Sequence, residues 1–392
     1  MRQFDVIVLG AGAAGLMCAA VAGQRGRRVV LLEHNGQVGR KILISGGGRC
    51  NFTNLHCGPG NFISENEHFA KSALALYEPR NFIELVDRYG IAWHEKTLGQ
   101  LFCDHSARAI VEMLLAECAL GGVEIVLNAH GVEVEGASGG GFRVATSLGE
   151  FASDALVVAT GGLSIPKLGA SGLGYDLARK FGLKVVEPRP ALVPVVLGGD
   201  EARWTELAGV AVDVVAMAAR KGREHCFREK LLVTHRGLSG PAVLQASSYW
   251  RVGEEFVVDF APGSEILRGL KEPRAKRVES TFKQSLREVL PQRLAGFLAD
   301  AGGPDGWSNA ALDECERKLH RWVFHPVRTE GFEKAEVTAG GVDTAGLQAR
   351  TMEARNVAGL FFIGEAVDVT GWLGGFNFQW AWASGVAAGR AV

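Results

Sequence analysis

The sequence predicts an α/β protein: a mostly parallel sheet with helices on it, interrupted late in the chain by a β-rich segment and a helical one. Three observations carry this. The β-branched run Phe4 to Leu9, a glycine turn, a helical stretch from Ala13 to Arg25 and a second apolar run from Arg28 to Leu32 make one βαβ unit. Helix and strand patterns keep alternating as far as Thr160. Past Pro188, Pro190 and Pro194 the texture turns to short strand-like runs, and past Ser264 to charged helical ones.

Taken in order, the elements after the βαβ unit are helical spacing at Ala70 to Tyr89 and Ala107 to Leu120, then a strand at Val123 to Leu127 behind the Gly121-Gly122 stop. Phe142 to Thr146 and Ala155 to Ala159 read as strands, the second ending in Thr160-Gly161-Gly162. Val193 to Leu197, Val210 to Ala218, Cys226 to Thr234 and Phe256 to Phe260 suggest a small antiparallel β-domain. Ser264 to Trp322 is helical, and its cations Lys271, Arg274, Lys276, Arg277, Lys283 and Arg287 are interleaved with Glu272, Glu279 and Glu288, as on a solvated face. Gly359 to Ile363 is a last buried strand and Phe376 to Ala391 a last helix. The expected domains are 1–188 with 335–392, then 189–262 (β-rich), then 263–334 (helical).

Composition narrows the function classes. With 392 residues and 47% of them hydrophobic, the chain can bury a large interior, so disorder is not the default. Its 52 glycines follow no period and cluster in short motifs, as in tight turns around ligands. A net charge of -1 supplies no global field for nucleic acid or an anionic membrane, so neither is expected as a partner. Cys18, Cys50, Cys57, Cys103, Cys118, Cys226 and Cys315 form no CxxC pair and are odd in number, which suits a reducing compartment, the cytoplasm. No metal site is expected. The uncharged stretch Val6 to Gln24 behind Arg2 resembles a signal peptide or membrane span, but Asp5, Gly10, Gly12, Gly15 and Gly23 argue for strand, turn and helix instead.

The chemistry lies in the glycine motifs. Gly10-x-Gly12-x-x-Gly15 directly follows a strand and opens a helix, the context of a dinucleotide fingerprint: a tight turn, close approach of backbone to a pyrophosphate, and close helix–strand packing. Glu33 ends the second strand, placed to accept hydrogen bonds from ribose hydroxyls; His34 follows, and no Arg is positioned for a 2′-phosphate. FAD is preferred to NAD on three further segments. Arg40, Lys41, Ser45, Gly46, Gly47, Gly48, Arg49, Cys50 and Asn51 form a cationic, glycine-rich loop suited to a diphosphate and ribityl chain. Thr160-Gly161-Gly162 ends one strand and Gly364-Glu365 another. Gly375, Phe376, Asn377 and Phe378 then start the last helix, whose N-terminal dipole would meet negative charge on the ring.

With these segments the chain resembles the HI0933-like family of FAD-dependent oxidoreductases, also labelled BaiN-like or aminoacetone-oxidase-like, over nearly its whole length. The matching stretches are VLGAGAAGL, GRKILISGGGRCNFTN, ATGG with Gly169 to Tyr175, LVTHRGLSGPAVL, VTAGGV and GLFFIGEAVDV with GGFNFQWAWASG. The resemblance implies a Rossmann-type FAD-binding domain interrupted by a β-barrel-like insert and a helical one. It implies that Gly10, Gly12, Ala13, Ala14, Gly15, Glu33, Arg40, Lys41, Ser45 to Asn51, Val132, Thr160, Gly161, Gly364, Glu365, Asn377 and Phe378 line FAD. Gln100 and Cys103 depart from the family's Arg and Pro, Trp372 and Leu373 from a small or acidic residue and Thr, and Phe376 from Tyr, all at positions expected to face substrate or flavin.

The expected function is FAD-dependent hydride transfer through flavin N5, with NAD(P)H as donor and an enone-like small molecule as acceptor. Two alternatives stay open: an oxygen-using oxidase of an amine or amino ketone, and an FAD-containing RNA-binding or tRNA-modifying protein. Asn51, His235, Arg236 and Trp372 are candidates for the reactive face, with Tyr175 and Arg49 beside them. His235 and Arg236 precede a turn feeding a helix, where an anionic substrate could bind. Cys50 and Cys57 are too far apart for a helical redox pair, so Cys50 is read as packing near the ring, and Gly169-x-x-Gly172-x-Gly174 lacks the strand that a second nucleotide site needs.

Overall fold

The computed structural model describes residues 1–136 and 140–392, which form two compact units, Met1–Arg189 with Val337–Val392 and Pro190–Glu336. In the first unit five parallel strands run in the order Glu124–Val126, Val29–Leu32, Arg2–Leu9, Gly149–Val158 and Leu360–Phe362. Their inner residues are apolar and buried on both faces, as a sheet covered by helices demands. On the edge away from Arg2–Leu9, Gly149–Val158 serves two partners: its first half pairs antiparallel with Phe142–Thr146, its second half parallel with Leu360–Phe362. The strand ends Leu9, Leu32, Val158 and Phe362 lie at one edge, so Gly10, Glu33, Ala159 and Ile363 all open on the same crevice.

The closing helix Phe376–Ala391 lies directly on the opening helix Ala13–Gln24, because two glycines on one face let the backbones meet. A Cβ on Gly385 or Gly389 would stand 2.7 Å from the carbonyl oxygen of Ala14 or Cys18. Arg25 donates from Nη1 to the Gly389 and Val392 carbonyls at 3.0 and 2.9 Å, satisfying C-terminal groups that have no partner within their helix.

Two departures from expectation bear on the site. The span expected as one helix over Ala70 to Tyr89 is two, Lys71–Leu76 and Pro79–Arg88. Pro79 forces Glu78 into extended backbone, and the Asn81 side chain accepts the Glu78 N–H at 2.8 Å to start the helix afresh. An unexpected three-stranded antiparallel sheet joins Asn51–Asn54, Gln100–Cys103 and Trp93–Glu95.

The second unit holds a sheet of seven strands, in the order Trp322–Phe324, Phe256–Asp259, Ala211–Arg220, Arg223–Val233, Gly237–Ser239, Val195–Val196 and Arg328–Thr329. Laid flat, its outer strands would be roughly 29 Å apart. Residues 325–327 alone join them in sequence and reach about 14 Å at most, so the sheet must curl in a barrel-like manner. The helices Glu279–Val289, Gln292–Gly302 and Asn309–His320 belong to this same unit: they form an excursion between Phe256–Asp259 and Trp322–Phe324, which pair with each other. Trp204 anchors its core, packed on Phe260, Phe297, Trp322 and Phe324.

Candidate active site

The glycine turn is shaped by what cannot fit there. Gly10 has φ +102°, and a Cβ on it would lie 2.6 Å from the Ala159 carbonyl oxygen. A Cβ on Gly15 would overlap the Gly10 carbonyl oxygen. Gly12 differs, since its Cβ would meet nothing within 4 Å. That open space lies before a helix with no side-chain cap, whose first N–H groups and positive dipole end face it. Glu33 is buried and held: Oε2 accepts the Ala11 N–H at 2.8 Å, Oε1 accepts the backbone and side-chain N–H of Asn35 at 2.8 and 2.9 Å, and His34 Nδ1 lies 3.1 Å from Oε1. The room left for a ribose hydroxyl is therefore on Oε2.

In the loop that follows, Arg40 donates to Asn35 Oδ1 at 2.6 Å and to the Leu168 carbonyl at 3.0 Å, bracing the turn before Gly169. Lys41 reaches Glu365 Oε2 at 2.6 Å and Ser164 Oγ at 2.7 Å. Glu365 Oε1 accepts the Ser164 hydroxyl at 2.9 Å and the Thr338 N–H at 2.8 Å. Two residues expected separately at the cofactor thus pair with each other, one from near each end of the chain. Ser45 Oγ donates to the Ile42 carbonyl at 2.7 Å, Gly46 lies under the Phe102 ring, and a Cβ on Gly47 would meet nothing within 4 Å. The Gly48 and Arg49 carbonyls accept from Ala107 and Cys103 at 2.7 and 2.9 Å. Cys50 is fully buried; burial pushes its thiol far up, so it remains protonated, and it pushes Cys57 up to about 12.

After the central strand, Gly161 leaves open space, while Gly162 packs on the Thr338 side chain and Glu365. Thr160 Oγ1 and Tyr175 Oη are buried without a protein partner, and a Cβ on Gly174 would stand 2.5 Å from Thr160 Oγ1, so an internal water is what would complete them. At the last strand, Gly364 receives Ala14 and gives its carbonyl to Trp380 Nε1 at 2.9 Å. The three-stranded sheet is stitched to the start of the closing helix: Asn54 Nδ2 donates to the Gly374 carbonyl at 2.9 Å and Thr53 Oγ1 to Gln379 Oε1 at 2.7 Å. The Asn51 amide, turned to satisfy its neighbours, donates to the Leu101 and Thr53 carbonyls at 3.2 and 3.3 Å and accepts the Gly375 N–H at 3.3 Å.

Residues 4–391 match the family model described as HI0933-like protein Rossmann domain. The chain belongs to the HI0933-like family. It is an FAD-dependent oxidoreductase of that family, as its glycine motifs predict. A protein of Escherichia coli strain K12 named ribosomal RNA dihydrouridine synthase is 50% identical over 396 residues, covering 100% of this chain and 98% of its own. A 3-dehydro-bile acid delta(4,6)-reductase of Clostridium scindens is 30% identical over 411 residues, covering 98% of each. The fold is similar to that of a 3-ketosteroid-delta4-(5alpha)-dehydrogenase from Rhodococcus jostii RHA1, with a TM-score of 0.50 at 15% identity over 99% of this chain and 97% of that one.

Several residues expected at the cofactor or substrate also make contacts within the protein. The Asn377 side chain folds back to accept from the Gly371 N–H at 2.8 Å and donate to the Gly371 and Trp372 carbonyls at 2.9 and 3.1 Å, so its amide is committed to the turn and its backbone N–H is what the helix start presents. Phe378 stacks on Trp382, and Trp372 meets Phe376 edge-on. Val132 is half-buried against the core, ahead of the strand Glu133–Gly136. His235 and Arg236 are exposed in the second unit, where the strand Gly237–Ser239 separates them from the helix Pro241–Ser247, and Arg236 pairs with Glu330 at 3.3 Å. Sequence reasoning missed Ser164, Thr338, Asn54 and Gln379, together with a His94–Asp104 pair at 2.6 Å whose imidazole stacks on Phe102. Asn54, Thr338 and Gln379 sit in stretches that carry the family resemblance, but only long-range pairing shows what these residues hold. No helix among the described residues is long and apolar enough to cross a membrane.

Proposed function

We propose that this chain reduces the carbon–carbon double bond of an α,β-unsaturated carbonyl, and that its acceptor is a uracil base of ribosomal RNA, with NAD(P)H as electron donor. The observation that carries the reading is the 50% identity, end to end, with the relative named ribosomal RNA dihydrouridine synthase. The bile-acid reductase supports the chemical class, because a uracil C5=C6 bond conjugated to the C4 carbonyl and a dienone are both enone-type acceptors. The expectation of no nucleic-acid partner rests on the net charge of -1, an average that does not exclude a local docking surface.

The residues fit FAD. Open space at Gly12 and Gly161 and a spare acceptor site on Glu33 form a cradle at the strand ends. Bound FAD supplies a two-electron carrier at its ring. The protein's part is to place that ring against the start of the closing helix, whose dipole favours negative charge, and to pin that helix through Asn51, Thr53 and Asn54. A small-molecule enone acceptor is the second reading, favoured by the bile-acid relative.

Anaerobic mixing of the yellow protein with NADH or NADPH, followed by addition of unmodified ribosomal RNA transcript, a steroid enone or oxygen, tests this. Flavin colour should return rapidly with the transcript, and dihydrouridine should appear in the RNA. Recovery with the enone alone would favour the second reading, and recovery with oxygen alone, coupled to amine consumption, would favour an oxidase.

A further inference from the structure

We infer that Gln100 reads the imide edge of the substrate ring, the adjacent N–H and C=O that distinguish a uracil from a plain enone. This inference rests on the reading just proposed. Gln100 begins the strand Gln100–Cys103, and its backbone is already satisfied by the turn, with its N–H on the Thr97 carbonyl and its C=O accepting from Lys96, both at 3.0 Å. The side chain is half-buried and lies flat along Gly374, where an added Cβ would be 2.9 Å from its Cγ, Cδ and Nε2. Gly374 is therefore open to Gln100, and the closing helix starts two residues later.

A primary amide has two donor and two acceptor positions. Among the described residues the Gln100 amide has one partner, the Asn51 amide oxygen at 3.3 Å, to which it donates once its own amide is turned to match. Asn51 has nothing further to offer, since the Leu101 and Thr53 carbonyls and the Gly375 N–H use its amide. One end of the Gln100 amide is thereby clamped and the other left with a donor and an acceptor side by side. Asn51, Gln100 and the glycines beside them carry no formal charge, so the edge suits a neutral ligand that itself carries N–H next to C=O. Bidentate pairing of a Gln amide with a base edge is a recurrent mode of nucleobase reading. A cyclic imide meets this description; a phosphate, a carboxylate or an isolated ketone does not.

The test compares wild type with Gln100→Leu and Gln100→Ala, each loaded with FAD, reduced with dithionite under argon, and reoxidised either by unmodified ribosomal RNA transcript or by oxygen, which has no imide to read. Binding of the labelled transcript to the oxidised protein is followed separately by fluorescence anisotropy. The expected result is a loss on the order of 10–100-fold in reoxidation by RNA, the scale of one bidentate contact, with oxygen reoxidation and FAD content within about threefold of wild type. Both variants retaining wild-type RNA rates, or losing RNA and oxygen reactivity in parallel, would overturn the assignment and leave Gln100 as a support for Gly374. Wild type that never reduces the transcript would instead overturn the functional reading itself.

Discussion

Glycines 12 and 15, three residues apart, make opposite demands. Gly15→Ala would drive a methyl into the Gly10 carbonyl oxygen and should cost about 3 kcal/mol or more, with poor folding as the readout. Gly12→Ala meets no protein atom within 4 Å, so the apoprotein should melt within a degree or two of wild type. Its methyl would occupy the space at the helix N-terminus, and FAD affinity should fall by about tenfold or more in fluorescence titration. A variant with unchanged affinity would remove the diphosphate from that space. The Lys41–Glu365 pair gives a milder expectation: Glu365→Gln should cost about 1 kcal/mol in urea melts, a figure held down by the solvent screening of half-exposed Lys41. Both residues were marked by sequence as cofactor contacts. Their pairing was not legible, because a separation of 324 positions carries no local signal.

Elements were readable where local pattern and burial agree. The βαβ unit is an apolar, β-branched run, a glycine turn, a helix and a second apolar run in succession, and the structure repeats it to within two residues. Reading failed where the chain answers to distant partners. Asn51–Asn54 is polar at both ends and forms a strand because Gln100–Cys103 pairs with it, and Val185–Ala191 contains Pro188 and Pro190 yet pairs with Val337–Val342 in a two-stranded sheet that asks little of its N–H groups. The contact between opening and closing helices has a consequence at this scale. Gly385→Val and Gly389→Val should each separate the helices and cost about 2–4 kcal/mol in chemical denaturation. Loss of FAD should accompany the loss of stability, since Gly364 and Ala14 share that contact.

At the scale of the molecule, the thiols report on burial in both units. Cys57 and Cys118 are pushed up to about 12 and Cys103 and Cys315 to about 11, in each case chiefly by desolvation. A thiol whose native pKa exceeds its unfolded value of about 9 holds its proton longer in the folded state. Its stabilising effect is therefore complete below about pH 9 and lost as pH rises towards 11–12. Denaturation midpoints should be flat in this respect from pH 7 to 8.5 and then decline. At pH 8 a maleimide should label exposed Cys226 within minutes and the buried thiols far more slowly; mass spectrometry showing three or more rapid additions would contradict the packing described.

The strands Val185–Ala191 and Val337–Val342 lie side by side, so the chain departs for its second unit and comes back at neighbouring positions. An insertion with such a doorway is a segment attached at one place in the host. Relatives could lengthen, trim or exchange it without re-registering any strand of the host sheet, and a protein engineer could bridge the doorway with a short glycine-rich span to learn whether the host alone retains its yellow colour.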